Sequence, residues 1–314
     1  MIYKDTPIDV TVLMSTYNGD RFLREQLDSI FSQEKVHVRL IVRDDGSSDR
    51  TLDILREYQA AHSDMLIISD GNNMRACASF LYLIRTYTDD NYFALADQDD
   101  IWDADKLIIG IKAIQKLEDD DENIPLLYYS NLRIVDEDNI FARISHAVPH
   151  VAKNKYAALI ENLATGCTVV YNRNLANLAK SAQPEQYSMH DVWLYRVAKI
   201  FGEAIYDFEP HINYRQHAEN VVGTSMKKVS LRKIERELKW MLDTKQNEWY
   251  TDIEMFYDQF FAMMNEDTQK ACLKILNSKC NIKSKFDLIM DKRYRSNSRY
   301  RNIKFIIKVL LQNA

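Results

Sequence analysis

The sequence lacks any run of the roughly 18 to 20 apolar residues that a membrane-spanning helix needs. Its first segment, Met1 to Asp9, has neither a basic head nor a continuous apolar stretch, so we expect no secretory signal. Internal repeats and low-complexity segments are also absent. The sequence therefore does not resemble a membrane-spanning, secreted or repeat protein.

Cysteine is scarce, with four residues in a chain of 314. The four lie too far apart for a zinc ribbon or a CxxC redox pair, and this predicts buried thiols in a reducing compartment. A strong excess of one charge is lacking too, because 41 Lys and Arg oppose 46 Asp and Glu, for a net charge of −5. That balance argues against general nucleic-acid binding. Together these features predict a cytoplasmic protein.

The first half of the chain alternates strand-like and helix-like segments, which predicts an α/β domain with a doubly wound, mixed but mostly parallel sheet. No GxGxxG motif follows the first strand, so dinucleotide redox chemistry is unsupported. Helices are predicted to begin near Phe22, near Ser48 and near Asp191. A further helix is predicted after Asp103, which could cap it. The predicted strands are Val10–Met14, Val36–Val42, Met65–Ile68, Tyr92–Ala96, Leu126–Ser130, Thr168–Tyr171 and Ala204–Tyr206.

The last third of the sequence has a different pattern. Strand signals end after about residue 225, and Leu231–Leu242 and later segments have the spacing of amphipathic helices. A hydrophobic content of 46% can fill one substantial core. We therefore expect a domain over residues 1–225 and a helical C-terminal region over 226–314.

Two acidic clusters follow predicted strands. Asp44 and Asp45 come after the second strand, and Asp97-Gln98-Asp99 follows the strand that ends at Ala96. In an open α/β sheet the carboxyl ends of the strands line the ligand crevice, so the two clusters should converge. Clustered carboxylates repel each other and need a cation or hydrogen-bond donors. Oxygen ligands favour Mg²⁺ or Mn²⁺, which also bind phosphates. The alternative is an Asp-rich loop or a helix cap.

The segment Asp44 to Asp49 has a second interpretation. A carboxylate can accept hydrogen bonds from a pyrimidine N–H and from ribose hydroxyls. Gly46 would let the backbone approach such a ligand closely. The alternative is a turn followed by a helix cap.

Three ordered motifs resemble family 2 glycosyltransferases with the GT-A fold, and among them bacterial rhamnosyltransferase-type enzymes of surface polysaccharide synthesis. The resemblance covers roughly residues 8 to 225. The motifs are Ser15-Thr16-Tyr17-Asn18-Gly19, Asp44-Asp45-Gly46-Ser47-Ser48-Asp49 and Asp97-Gln98-Asp99-Asp100-Ile101-Trp102.

The resemblance implies an inverting transfer, in which an acceptor hydroxyl attacks the anomeric carbon and the nucleoside diphosphate leaves from the opposite face. It implies a nucleotide-sugar donor, with dTDP-rhamnose as the first expectation and UDP-hexoses next, and a saccharide or lipid-linked acceptor. By resemblance, Thr16 and Tyr17 border the nucleobase, and Asp44 or Asp45 contacts base and ribose. Asp97 would lie near the ribose or the metal, and Asp99 would be the principal metal ligand.

His190-Asp191-Val192-Trp193 resembles the acidic pair that precedes a helix in this family, with histidine in the first place. Asp191 would be the general base, since a helix N-terminus favours its ionised form. The alternative is that Asp191 merely caps the helix. His190 and Trp193 would lie on the acceptor side, and Thr165-Gly166-Cys167 resembles the loop beneath the acceptor.

The segment from Tyr214 to Gly223 resembles the end of the family's catalytic domain, where a histidine completes the metal site or contacts the diphosphate. Here that residue is His217, and Arg215 is a possible diphosphate partner because guanidinium matches phosphate oxygens in pairs. One position departs from the family. Arg75 stands where relatives often have glycine, and it would either serve the diphosphate or reflect surface drift.

The C-terminal tail is basic. From Lys283 to Lys308 it holds nine Lys/Arg and two Asp, a net charge of +7, interleaved with apolar residues such as Tyr294, Tyr300 and Phe305. Such a helix could lie on the anionic inner face of the cell membrane. The alternatives are a solvated helix that covers the core and a contact within a homodimer.

Two other functions stay open from the sequence. A degenerate transferase domain could serve as a binding or assembly subunit. The presence of Asp99, Asp191 and His217 argues against this alternative, although the Arg75 departure keeps it open. A sugar-nucleotide nucleotidylyltransferase would share the sheet type. That class is expected to carry a glycine-rich, arginine-containing loop after the first strand, and Ser15 to Gly19 is not such a loop.

Overall fold

The computed structural model describes residues 6–69, 72–147, 151–152, 154–181, 189–217 and 248–311. These residues divide into two compact units. The first unit contains the described residues of 6–147, 164–181 and 189–217. The second contains those of 151–163 and 248–311. The segment Leu231–Leu242, predicted as a helix, lies outside the described residues.

The first unit is built on a nine-stranded mixed sheet with the order β3-β2-β1-β4-β8-β6-β9-β5, and β7 pairs with β6. Six strands run in one direction, and only β5, β7 and β8 run against them. The strands are β1 Ile8–Thr16, β2 Val36–Asp44, β3 Met65–Ser69, β4 Tyr92–Ala96, β5 Ile101–Trp102, β6 Leu126–Val135, β7 Phe141–Ile144, β8 Val170–Asn172 and β9 Glu203–Arg215.

Helices accompany this sheet. They are α1 Leu23–Phe31, α2 Thr51–Ala61, α3 Arg75–Thr86, α4 Lys106–Glu118, α5 Arg173–Ala179 and α6 His190–Phe201. Strands β1 and β4 are buried on both faces over most of their length, which explains their continuous apolar runs, whereas β2 alternates in its first half and is buried from Leu40 onward. The α/β class and the mostly parallel sheet are therefore confirmed.

The register of the parallel strands brings their carboxyl ends to one edge of the sheet. Thr16 at the end of β1 is paired with Asp44 at the end of β2. On the other side of β1, Met14 is paired with Ala96, the last residue of β4. The three predicted motifs therefore leave the sheet side by side.

Several elements differ from the sequence-based expectations. Asp103 does not cap α4, because its carboxylate pairs with Arg133 and the helix begins at Lys106. Strand β9 is much longer than the predicted Ala204–Tyr206. Most of its residues are exposed or half-buried, so the rest of the strand has no apolar run that would predict it. The two-residue strand β5 and the exposed strand β7 were not predicted, because neither has an apolar run.

The second unit is helical, which confirms the predicted C-terminal helices. Its helices are α7 Glu248–Phe260, α8 Glu266–Asn277, α9 Ile282–Met290 and α10 Arg299–Leu311. Asn265 and Asn281 cap α8 and α9 through side-chain oxygens that accept backbone N–H groups. The unit's interior contains Trp249, Tyr250 and Tyr294. Among the described residues, no helix is long and apolar enough to cross a membrane.

The four cysteines are free thiols. Cys167 and Cys272 are buried as predicted, and Cys77 is half-buried. Cys280 is exposed, which the sequence did not predict.

Candidate functional site

The loop after β1 is tied to the Asp97-Gln98-Asp99 segment by one side chain. Gln98 Oε1 accepts the backbone N–H of Tyr17 at 2.8 Å, and Gln98 Nε2 donates to the Tyr17 carbonyl at 3.0 Å. A Cβ at Gly19 would lie 2.4 Å from Gln98 Cδ, so any side chain at this position would displace Gln98 from its hydrogen bonds with Tyr17. The two motifs are thus one structural unit, and the central residue of Asp-X-Asp is what joins them.

Asp44 organises the turn after β2. Its carboxylate accepts hydrogen bonds from Ser47 Oγ at 2.6 Å and Ser47 N at 2.9 Å, and from Thr16 Oγ1 at 3.1 Å. Asp44 and Thr16 are fully buried. Gly46 adopts a φ of 85°, a conformation that favours glycine. Asp44 and Thr16, both predicted to border the nucleotide, therefore hold the loop in shape from within.

Asp45 is also enclosed by protein. It forms a buried ion pair with Arg43 and accepts the backbone N–H groups of Met74 at 2.8 Å and Arg75 at 2.7 Å. Arg43 in turn donates to the Asn72 carbonyl at 3.1 Å. The Asp45 carboxylate thereby joins the end of β2 to the start of α3. No sequence pattern predicted that Arg43 and Asn72 take part in this network.

Arg75 adopts a φ of 68°, in the left-handed region that glycine tolerates best. The sequence comparison with the family predicted that Arg75 occupies a glycine position, and the backbone conformation agrees with that expectation. Its side chain is exposed. Tyr17, with 49% of its surface exposed, is the other predicted nucleotide contact that presents its side chain to solvent.

The acidic centre lies where β4 ends. Asp99 Oδ2 is 2.6 Å from His217 Nε2, and Asp99 is 9% exposed. Burial, and after it the neighbouring carboxylates of Asp99 and Asp191, raises the pKa of Asp97 to about 7. The structure therefore brings together Asp97, Asp99, Asp191 and His217, which lie far apart in the sequence.

A buried polar cluster lies beside this centre. Ligand atoms of Asp97, Asp100 and Cys167 are all within 4.8 Å of one another, whereas Asp97, Asp99 and His217 are not such a group among the described residues. Lys106 is fully buried, with its Nζ 3.6 Å from the Trp102 ring centroid, and burial lowers its pKa to about 7. Sequence reasoning missed Lys106, because nothing in its local pattern marks it, and it assigned Cys167 to the loop beneath the acceptor and not to this cluster.

Arg215 is placed differently from the prediction. It is 2% exposed, and its Nε donates to the Asp99 carbonyl at 2.9 Å. Its other nitrogens donate to the Glu137 carbonyl at 2.5 Å and to Glu25 Oε2 at 2.8 Å. The guanidinium is therefore occupied by protein acceptors and braces the backbone that carries Asp99, rather than facing a diphosphate.

Asp191 is the second residue of α6, whose N-cap is Met189, so Asp191 is not the cap. Its Oδ1 accepts the N–H of Val192 at 2.7 Å, and the residue is half-buried. This position at a helix N-terminus favours the carboxylate.

His190 lies behind Asp191 and is 5% exposed. Its ring stacks on Phe80 with centroids 4.2 Å apart, and burial lowers its pKa to about 3. A Cβ at Gly166 would lie 2.8 Å from His190 Nε2 and 3.7 Å from Asp191 Cβ. Gly166 and the neutral imidazole therefore fit closely beside the proposed base.

Trp193 does not lie on an acceptor surface. It is fully buried, and its Nε1 donates to the Ala179 carbonyl at 3.0 Å, which joins α5 to α6. The acceptor-side prediction for Trp193 is therefore replaced by a packing role.

Comparisons with known proteins agree with this arrangement. The family model "Glycosyl transferase family 2" matches residues 11–178. The dTDP-rhamnosyl transferase RfbG of Shigella flexneri is 29% identical over 229 residues, 68% of this chain and 74% of that protein. The Escherichia coli UDP-Glc:alpha-D-GlcNAc-diphosphoundecaprenol beta-1,3-glucosyltransferase WfgD is 29% identical over 171 residues, 54% of this chain and 62% of that protein.

A solved structure supports the fold. Residues 1–349 of S. aureus TarS, crystallised with UDP, superpose with a TM-score of 0.53 at 14% identity, covering 96% of this chain and 90% of that one. The fold expected from the resemblance is therefore confirmed. Because the family model spans more than half of the sequence, this chain belongs to glycosyl transferase family 2 and is a glycosyltransferase with the GT-A fold.

Proposed function

We propose that this chain is an inverting, metal-dependent transferase of bacterial surface polysaccharide synthesis. It moves a sugar from a nucleoside diphosphate to a hydroxyl of a saccharide or lipid-linked saccharide, and residues 1–225 are its catalytic domain. One observation supports this proposal above the others. Asp99 and His217 face each other at 2.6 Å, and burial together with the nearby carboxylates of Asp99 and Asp191 raises the pKa of Asp97.

The donor set at this centre fits a hard divalent cation. Asp99 and Asp97 offer carboxylate oxygens and His217 offers an imidazole nitrogen, ligands that suit Mg²⁺ or Mn²⁺. Burial is the main cause of the raised pKa of Asp97, and repulsion from Asp99 and Asp191 adds to it; a cation would relieve that repulsion. Asp99 and His217 would hold the ion, with Asp97 beside it. When bound, the ion would neutralise the charge of the departing diphosphate.

The acceptor hydroxyl needs a base, and Asp191 is suited to that task. Its carboxylate lies at the N-terminus of α6, where the helix dipole favours a negative charge. Asp191 would take the proton of the attacking hydroxyl. His190 stands where the family more often has an acidic residue. Because its imidazole is neutral, it adds no further charge beside the acidic centre. His190 and Gly166 would shape the acceptor side.

The nucleotide would lie over the loops after β1 and β2. Tyr17 offers an exposed ring on which a base can stack. Asp44 and Asp45 keep the two loops in place, and Arg75 has an exposed guanidinium for the diphosphate.

The donor is dTDP-rhamnose or a UDP-hexose in this proposal. Its support is the likeness to RfbG, named as a dTDP-rhamnosyl transferase, and to WfgD, named for UDP-Glc and a diphosphoundecaprenol-linked acceptor. The protein would act in the cytoplasm, at the inner face of the membrane that holds such an acceptor. A donor screen by mass spectrometry, with membrane extract as the acceptor source, identifies both substrates.

The decisive test compares two isosteric substitutions. Asp191→Asn should abolish transfer and spare donor binding, because it removes the base without altering the donor side. Asp99→Asn should weaken metal-dependent donor binding. The exposed Asp53→Asn on α2 is a matched control that should change neither property. Turnover of Asp191→Asn within about tenfold of wild type, roughly 1.4 kcal/mol of barrier, would show that the base is another group.

The same assay decides the alternative function. Donor binding without turnover, across a broad panel of donors and acceptors, would favour a degenerate binding subunit. The Arg75 departure from the family pattern is the observation behind that alternative.

A further inference from the structure

The second unit exposes apolar side chains along one face of α9. Ile282, Phe286 and Met290 recur at every fourth residue and are 61%, 54% and 72% exposed. Leu288 on the opposite face of α9 is buried, and so is Ile289 beside the stripe. Because i and i+4 side chains share a helix face, the three exposed residues form a continuous apolar stripe.

Helix α10 carries a similar stripe. Tyr300, Ile303 and Leu310 are 56%, 55% and 41% exposed, while Phe305 and Val309 on the other face are buried. The two helices are neighbours, since Lys285 Nζ in α9 donates to the Leu310 carbonyl in α10 at 3.4 Å. We call Ile282, Phe286, Met290, Tyr300, Ile303 and Leu310 the α9/α10 apolar surface.

The buried positions correct the interpretation of the basic tail. Tyr294 and Phe305, predicted to interleave with the charges at an interface, are 2% and 5% exposed and belong to the interior. The side chains available to a partner are those of the α9/α10 apolar surface.

Charge identifies the partner. The segment from Lys283 to Lys308 carries a net charge of +7, so the rest of a chain whose total is −5 carries −12. A symmetric contact with a second copy would place this positive surface against itself, which repels. An anionic lipid surface offers the opposite charge and an apolar layer beneath it.

The lengths of the helices fit this partner. At 1.5 Å per residue, α9 with 9 residues and α10 with 13 extend to about 14 Å and 20 Å, short of the roughly 30 Å of a bilayer core. They are therefore too short to span the bilayer, and a helix with one apolar face and basic residues beside it binds in the plane of the membrane surface.

We infer that the α9/α10 apolar surface docks on anionic phospholipid bilayers, with its six apolar side chains among the acyl chains and the neighbouring lysines and arginines at the headgroups. Lys304, 4.6 Å from the Tyr300 ring centroid, and the exposed Lys283 and Arg299 are cations at its border. This docking is independent of the proposed transfer reaction, because it needs neither donor nor acceptor.

The test is sedimentation of the full chain with vesicles of phosphatidylglycerol and phosphatidylcholine, against vesicles of phosphatidylcholine alone. The wild type should bind the anionic vesicles, and added salt should weaken the binding. The double variant Phe286→Gln/Met290→Gln should lower the partition coefficient at least about tenfold, and Ile303→Gln should lower it severalfold. Glutamine is a good helix former, so circular dichroism should be unchanged.

The control is Phe141→Gln in β7 of the first unit, which removes an equally exposed phenylalanine, 57% against 54%. It should bind vesicles as the wild type does. Three results would overturn the inference: no sedimentation with anionic vesicles, equal binding to neutral ones, or wild-type binding by the double variant. A dimer in analytical ultracentrifugation that the double variant dissociates would instead assign this surface to a second copy of the chain.

Discussion

At the residue scale, the site is built from buried polar side chains that support a few exposed ones. Asp44 and Asp45 accept backbone N–H groups, and Arg215 donates to the carbonyl of Asp99. Tyr17 and Arg75 remain available to a ligand. Truncating a supporting residue should therefore affect folding and binding together, whereas changing an exposed one should affect binding alone.

Arg75 tests this division between supporting and exposed residues. Its backbone conformation favours glycine, whereas its exposed side chain offers a charge to a ligand. A non-glycine residue in the left-handed region costs roughly 1 kcal/mol, and glycine avoids that cost but loses more chain entropy on folding. We expect Arg75→Gly to leave the free energy of unfolding unchanged or raise it by up to about 1 kcal/mol, measured by urea denaturation. Its donor affinity should fall about tenfold, as expected for a lost charge contact with diphosphate.

Arg75→Lys separates the two effects. Lysine keeps the positive charge and has the same free-energy cost in the left-handed conformation. The free energy of unfolding should therefore match that of the wild type, and the variant should retain part of the donor affinity. Wild-type donor affinity in Arg75→Gly would show that Arg75 is not a diphosphate contact.

At the element scale, the positions of the loops follow from strand register, and this much is predictable from sequence. The apolar runs of β1 and β4 and the alternation in β2 identify the strands, and the parallel order places Thr16, Asp44 and Asp97 at one edge. The contacts that lock these loops were not predictable. Gln98 pairs with Tyr17 across 81 positions, and such a contact leaves no periodic pattern in the sequence.

Gln98 and Gly19 form a pair that tests how these loops are joined. Gly19→Ala should destabilise the protein by a few kcal/mol, because its Cβ would lie 2.4 Å from Gln98 Cδ. Gln98→Ala should cost about 1 to 2 kcal/mol and weaken donor binding, because it frees the Tyr17 backbone.

The double variant Gly19→Ala/Gln98→Ala should be more stable than Gly19→Ala alone, since the second substitution removes the clash. A urea-denaturation cycle over the four proteins measures this coupling. Additive losses would contradict it and assign the strain at Gly19 to another neighbour.

At the scale of the whole molecule, the alternation of strands and helices and the later loss of strand signals predicted both the α/β unit and the helices that follow it. The chemistry was predicted less completely. Asp97, Asp99, Asp191 and His217 do converge, but Trp193 and Arg215 are buried in supporting roles. A sequence motif identifies which residue types cluster, whereas burial and competing partners decide which side chains face a ligand.

The dependence of global stability on pH gives a whole-molecule test of the buried His190. Burial lowers its pKa from 6.5 to about 3, so the folded state keeps the imidazole neutral while the unfolded state takes up a proton below pH 6.5. The free energy of unfolding should therefore fall as pH falls from 6.5 to 5, by at most about 1.4 kcal/mol per pH unit. Asp97, whose pKa is raised to about 7, acts in the opposite direction over this range, so the comparison with a variant is needed.

His190→Gln supplies that comparison, because glutamine does not titrate. Subtracting its urea-denaturation profile from the wild-type profile should leave a difference that shrinks as pH falls from 6.5 to 5. His37→Gln is the matched control, since the Asp9 carboxylate raises the pKa of His37 and makes its contribution disappear as pH rises. Its difference profile should therefore slope the other way. Parallel profiles for wild type and His190→Gln would mean that this imidazole is hydrated in the folded protein, and that the space between Gly166 and Phe80 admits water.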